Sequence, residues 1–266
     1  MDATTRLGRS GLTVSTLCFG TGYMGGPVAT GARLLTRAYE LGVTFWDTSD
    51  DYGTHPHVAR ALRDVGRDEI VVTTKTYAST VAGARRSLTK ALRELRVEAV
   101  DIFLLHAVDS AGELEAKLPA LETLARAKAE GLVRAVGVSS HSREVLARLL
   151  DLEAVDVALA VVNQTGSWMK DATPTEMTKV VKRLYRSGRG VYGIKALGSG
   201  QVTGEAEVVA ALRYAFRYPY VHATCVGMTS ESELEANVAI WRRALAQRRP
   251  ISPRRASRRR RQRPRK

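Results

Sequence analysis

Val100-Asp101-Ile102-Phe103-Leu104-Leu105-His106 is an almost unbroken apolar run closed by a histidine. A strand this apolar has no face for water, so it must be covered on both sides, as in a parallel sheet wrapped by helices. An amphipathic stretch precedes it at about 80–95, another follows at 112–130, and the next β-branched run begins at 133. Further out the alternation continues in both directions. Strands are expected at 16–20, 43–46, 70–74, 100–105, 133–138, 157–162, 190–194 and 222–226. Helices are expected at about 30–41, 56–64, 80–95, 112–130, 142–150, 173–187, 205–216 and 231–246. Eight βα units in one α/β chain predict a (β/α)8 TIM barrel. Gly42, Gly131 and Gly188 fall where helices need a left-handed terminator, and Ser230 or Thr229 can cap the last helix. Residues 6–14 place turn formers between two short extended pieces, which predicts an N-terminal β-hairpin closing the bottom of the barrel.

The chain has 266 residues and a net charge of +14. Residues 248–266 hold eleven basic residues and no acid, which leaves 30 basic against 27 acidic residues for 1–247. The positive charge therefore belongs to a tail, and it does not mark the body as a nucleic-acid binder. Pro250, Pro253 and Pro264 with few apolar residues predict that 248–266 is disordered. The expected division is one barrel domain over 1–247 and a basic tail over 248–266. No apolar run is long enough for a membrane helix, and the first residues lack the pattern of a secretory signal. Cys18 and Cys225 are too few for a disulfide framework and are expected as buried free thiols. A cytoplasmic setting follows as the expectation.

Gly20-Thr21-Gly22-Tyr23-Met24-Gly25 matches the G-x-G-x-x-G pattern of a dinucleotide-binding turn. Gly26, Pro27 and Val28 delay the helix that should open directly from it, so a glycine-rich loop at the top of the first barrel strand is the better reading. Parallel barrels react at the C-terminal ends of their strands. Four ionisable side chains lie at successive strand ends: Asp47, Tyr52 in the loop just beyond it, Lys75 and His106. Any one of them could be a satisfied structural group, but four converging on one mouth are hard to assign to packing.

Together they suit assisted hydride transfer to a carbonyl. The incoming hydride leaves an alkoxide that needs a proton, and a phenol is a poor acid unless a nearby cation stabilises its phenolate. Lys75 supplies that cation for Tyr52, Asp47 orients Lys75, and His106 can hydrogen-bond the substrate oxygen. None of the four carries hydride, so a cofactor must.

At these positions the chain resembles the aldo-keto reductase superfamily, in particular its bacterial members. The motifs run in order: Leu7-Gly8-Arg9-Ser10-Gly11-Leu12, then DTSDDYG at 47–53, VTTKT at 72–76, DIFLLH at 101–106 and GVSS at 137–140. Asn163-Gln164, ALGSG at 196–200 and VGMTSESELEANV at 226–238 continue the match over about residues 5–240. The resemblance implies NADPH, with NADH possible, lying extended across the barrel top. It implies that Ser139, Ser140 and Gln164 hold the carboxamide end, with Ser140 in place of a usual Asn. Thr21, Gly22, Asp47 and Lys195 would lie along the cofactor, and Leu197 and Gly198 would cover its pyrophosphate. Gly227, Thr229, Ser230 and Asn237 would hold the adenosine end. Ile194 stands where many members place an aromatic, and Glu233 where an Arg often faces the 2′-phosphate.

Tyr23, Tyr77 and Trp168, together with His106, are expected beside the mouth as a substrate pocket, with packing roles equally open for the three aromatics. The partner implied is a small-molecule carbonyl compound, with no membrane and no specific nucleic acid; a monomer is the default. A catalytically weak, cofactor-holding sensor or partner subunit is the alternative to an enzyme. The tail can bind polyanions nonspecifically through counterion release. Deleting residues 248–266 is expected to leave a single cooperative thermal transition and intact cofactor binding; aggregation of the shortened chain would assign the tail a covering role.

Overall fold

The computed structural model describes residues 3–247, so the tail expected at 248–266 lies outside the described residues. An antiparallel pair, β1 (Thr4–Arg6) and β2 (Thr13–Ser15), precedes a closed ring of eight parallel strands. These are β3 (Leu17–Gly20), β4 (Phe45–Asp47), β5 (Val71–Thr76), β6 (Val100–Leu105), β7 (Val133–Ser140), β8 (Val157–Val161), β9 (Gly190–Ile194) and β10 (Ala223–Gly227). The helices are α1 (Val28–Glu40), α2 (His55–Val65), α3 (Val81–Leu95), α4 (Ala111–Ala129), α5 (Arg143–Arg148), α6 (Pro174–Arg186), α7 (Glu205–Arg217) and α8 (Glu231–Ala246). The ring closes where β10 pairs with β3, register partners Cys225 and Cys18 included, so two thiols remote in sequence sit side by side, free and buried. Among the described residues no helix is long and apolar enough to cross a membrane. The doubly wound alternative for the glycine-rich turn is excluded by the closed ring.

Alternate residues of each strand serve two different cores. Cys18, Phe45, Ile102, Leu104, Ala135, Leu159, Tyr192 and Cys225 fill the barrel interior. Leu17, Phe19, Trp46, Phe103, Leu105, Val136 and Val226 pack outward beneath the helices. The hairpin supplies the floor: Leu7, Leu12 and Val14 join the interior cluster. The Arg9 guanidinium donates to Glu153 O and Val155 O at 2.7 and 2.8 Å. Buried acids at the strand starts tie neighbours together. Asp101 accepts from Arg67, Arg134 and the Val72 amide, and Asp156 accepts from Lys128 and the Val136 amide.

Helix ends follow the local chemistry. Thr80, Ser110, Ser142 and Ser230 each cap through a side-chain oxygen, and Thr173 forms a reciprocal box with Glu176. The helix α1 starts at Val28, two residues earlier than expected, with the Pro27 carbonyl accepting from the Thr30 and Gly31 amides. The strand β7 runs on to Ser140, which places Ser139 and Ser140 within the barrel wall.

Gly137 marks the tightest backbone approach in the wall: a Cβ there would lie 1.9 Å from Val157 O and 2.8 Å from Leu104 Cδ2. Gly137→Ala should therefore force β7 and β8 apart and cost about 3 kcal/mol or more, read as a lowered denaturation midpoint. An unchanged midpoint would mean that the wall yields freely at this point.

Candidate active site

Strand parity explains why the chemistry gathers at one end. Asp47 lies two residues beyond inward-facing Phe45, Lys75 lies four beyond Val71, and His106 lies two beyond Leu104. The same alternation that fills the barrel with apolar side chains thus turns polar at its top. Lys75 Nζ donates to Asp47 Oδ1 at 2.6 Å and to Thr48 O at 2.7 Å, and both charged side chains are buried. The second carboxylate oxygen, Asp47 Oδ2, accepts from the Tyr192 hydroxyl at 2.8 Å. Burial works against the Lys75 charge, but the Asp47 carboxylate and Tyr52 together outweigh it and hold the ammonium pKa above its usual value.

The DTSDDYGT loop is pinned along its length. Thr54 Oγ1 lies 2.8 Å from the hydroxyls of both Thr21 and Thr48. The Asp50 amide donates to Lys75 O, while Ser87 and Lys90 hold Asp50 from α3. Tyr52 is set by this frame, with its ring centroid 4.7 Å from Lys75 Nζ. Gly22 passes close beside it, since a Cβ there would meet the Tyr52 ring at 3.2 Å. The Tyr52 hydroxyl lies 3.4 Å from His106 Nε2.

The neutral form of His106 can be assigned from its partners. Ser49 Oγ donates to Asp51 and so accepts from His106 Nδ1 at 3.1 Å, which leaves Nε2 as the acceptor for Tyr52. Burial, assisted by the Lys75 charge, lowers the His106 pKa to about 3, so the ring is neutral at ordinary pH. Tyr52 corrects the expectation that Lys75 makes it a stronger acid than a free phenol. Burial dominates and pushes its pKa up to about 12, with Lys75 offsetting part of the rise.

Tyr77 stacks on His106 at 4.4 Å between centroids, with Lys117 Nζ 5.5 Å from the Tyr77 ring centroid. The other half of the mouth carries hydroxyls and a cation. Ser139 and Ser140 are buried at the end of β7. Lys195 Nζ donates to Ser199 Oγ at 2.9 Å and lies 4.5 Å from the Trp168 ring centroid. Trp168 Nε1 in turn donates to Gly198 O, next to Leu197. The Tyr23 hydroxyl bonds Ser199 Oγ, and its ring covers Gly227, where a Cβ would meet it at 2.9 Å. The aromatics expected in one pocket thus divide between two places: Tyr77 with His106, and Tyr23 with Trp168 along the Ser199 bridge.

Gln164 does not join the two serines. It is exposed in an outer groove of about 620 Å³ with Thr178 of α6 and Ala210, Arg213 and Tyr214 of α7. Asn163 is the buried member of the pair, and its amide donates to Ser167 O and Lys195 O. At the start of α8, Ser230 caps the helix, Asn237 is buried, and Glu233 reaches back to accept from Thr229 N at 2.7 Å and Thr229 Oγ1 at 3.0 Å. A carboxylate therefore fills the first-turn position where an anionic ligand would sit.

Contributors in three places escaped the sequence reading. Tyr192 could have been found by counting inward from the strand end. Ser49 and Asp51 lie within the quoted DTSDDYG motif but carried no role until His106 was seen against them. The third is a linked group: Asp109 accepts from His141 Nδ1 and Lys170 Nζ, each at 3.0 Å to Oδ2. Burial opposes the Asp109 charge, but bonds from His141 overcome it and bring its pKa to about 2. His141 Nε2 is buried and has no protein partner. Among the described residues no cluster of His, Cys, Asp or Glu is placed to hold a metal ion.

The sequence profile of the Aldo/keto reductase family matches residues 16–209. L-galactose dehydrogenase of Arabidopsis thaliana is 26% identical over 281 residues, covering 88% of this chain and 86% of that one. L-glyceraldehyde 3-phosphate reductase of Escherichia coli K12 is 28% identical, covering 74% of this chain and 62% of its relative. Among solved structures, PA4992 of Pseudomonas aeruginosa, provisionally assigned as an aldo-keto reductase, superposes with a TM-score of 0.79 at 28% identity, covering 92% of this chain and 96% of that one. The holo form of aldo-keto reductase AKR11C1 from Bacillus halodurans, at 20% identity and a TM-score of 0.78, shares the fold.

Proposed function

The chain belongs to the aldo/keto reductase family and is a nicotinamide-dependent oxidoreductase, and from that premise we propose that it reduces the carbonyl of a small aldehyde or ketone with Tyr52 as the proton donor. The observation that carries the reading is Tyr52 itself, its ring facing a buried ammonium and its hydroxyl within reach of a neutral imidazole.

The mouth fits the cofactor. The Ser139 and Ser140 hydroxyls, the Lys195 cation and the unpartnered His141 Nε2 are polar groups suited to a polar ligand. Gly22 and Gly227 leave room for the Tyr52 and Tyr23 rings that pack over them. A reduced nicotinamide, when bound, supplies the hydride. Thr21, Gly22, Ser139, Ser140, Lys195, Leu197, Gly198, Gly227, Thr229, Ser230 and Asn237 are the groups proposed to line its path, while the placement of Gln164 argues against a role there.

Tyr52 keeps its proton at neutral pH because burial raises its pKa to about 12. The proton is released only when a strong base, the developing alkoxide, arrives beside it. The phenolate left behind faces the Lys75 ammonium, which Asp47 and Thr48 O hold in place. The long 3.4 Å bond to His106 is readily exchanged for one to the substrate oxygen. In its other tautomer His106 carries the proton on Nε2 instead of Nδ1, the Ser49 hydroxyl turns to donate to the vacated Nδ1, and Nε2–H donates to the substrate oxygen. The relatives named for L-galactose and L-glyceraldehyde 3-phosphate make hydroxylated aldehydes the first substrates to try.

Fluorescence titration with NADPH and NADH, followed by nicotinamide absorbance on adding aldehydes, tests the reading. Saturable binding with oxidation on carbonyl addition is expected; binding without turnover would favour the sensor alternative. Tyr52→Phe should keep cofactor affinity and lose about a hundredfold or more in turnover, and near-normal turnover would remove Tyr52 from the chemistry.

The resemblance implied NADPH, but the Glu233 carboxylate over Thr229 repels a 2′-phosphate. NADH is therefore proposed to bind at least as well as NADPH. Glu233→Arg should tighten NADPH about tenfold relative to NADH; an unchanged ratio of dissociation constants would place the adenosine end elsewhere.

A further inference from the structure

Tyr192 is wholly buried in β9 and reaches Asp47 of β4 through the barrel interior, with β10 and β3 between them in the wall. Its ring packs on Phe45 at 5.1 Å between centroids. Its hydroxyl donates to Asp47 Oδ2 at 2.8 Å, while Lys75 Nζ takes Oδ1 at 2.6 Å. The carboxylate is thus shared between a neutral donor and a charged one. The remaining titratable groups around it are Tyr52 and the thiols of Cys18 and Cys225.

This matters for the field at Tyr52. A carboxylate beside Lys75 screens the ammonium from the phenol that depends on it. A hydrogen bond to the far oxygen disperses the negative charge and holds it toward β9. More of the lysine field then reaches the Tyr52 ring at 4.7 Å. A plain packing residue would meet the same space with Phe.

We infer that Tyr192 is a positioning residue for carbonyl reduction, its hydroxyl holding the second oxygen of Asp47 so that the Lys75 charge acts on Tyr52. Burial followed by the Asp47 charge raises the Tyr192 pKa well above that of a free phenol, so the donor keeps its proton throughout the working range. The inference rests on the proposed role of Tyr52 and deepens it.

The test is the pH profile of the reverse reaction, alcohol oxidation, which requires Tyr52 as phenolate. Tyr192→Phe keeps the ring and removes the donor. Its profile should move to higher pH by about half to one unit. Turnover at fixed neutral pH should fall about three- to tenfold, with the dissociation constant for the cofactor unchanged. Tyr192→Met should show the same displacement, which separates the lost donor from the lost ring. Tyr52→Phe is the control. If Tyr52→Phe retains the limb and the activity, the reading of Tyr52 fails and takes this inference with it. If Tyr52→Phe abolishes the limb while both Tyr192 variants leave its midpoint in place, Tyr192 only packs, and the inference alone is overturned.

Discussion

An ammonium and a carboxylate, 2.6 Å apart and both out of water, are the constraint around which the top of this barrel is organised. Removing two charges from solvent costs several kcal/mol each unless every remaining hydrogen-bonding position is served. Thr48 O, the Tyr192 hydroxyl and the facing Tyr52 ring meet that demand. They do so from two segments of chain, the loop after β4 and the strand β9, which are thereby committed to Lys75 on β5. The threonine contacts that lock the DTSDDYGT loop serve the same end, because a loop free to move would admit water to the pair.

Most of the architecture could be read from period-two alternation. The β6 run showed that its strand is covered on both faces, and counting by twos from Phe45, Val71 and Leu104 leads to Asp47, Lys75 and His106. Gly42, Gly131 and Gly188, expected to end helices, all take positive φ. Ser230 caps α8 as expected. These readings depend on residues within a few positions of one another, where local sterics and hydrogen bonding decide the outcome.

What the sequence concealed were relations between distant segments. Nothing near residue 192 indicates that its hydroxyl meets residue 47, and no local feature gives Asn163 rather than Gln164 the buried place. The acidity of Tyr52 was misjudged for a similar reason. Charge pairs can be named from a sequence, but the depth of burial that competes with them depends on the whole wall. The neutrality of His106 is likewise set by its surroundings and not by its neighbours in the chain.

The ring of strands has one seam joining its earliest strand to its latest, where Cys18 lies beside Cys225. That seam has a consequence for the order of events during synthesis. Until residues 223–227 leave the ribosome, β3 has an unpaired edge and the interior cluster lacks Ala223 and Cys225. Earlier βα units can form as they emerge, but closing a loop of this length carries its entropic cost in a single late step. The nascent chain therefore carries an open β3 edge until β10 has emerged, and the wall around the mouth closes only then.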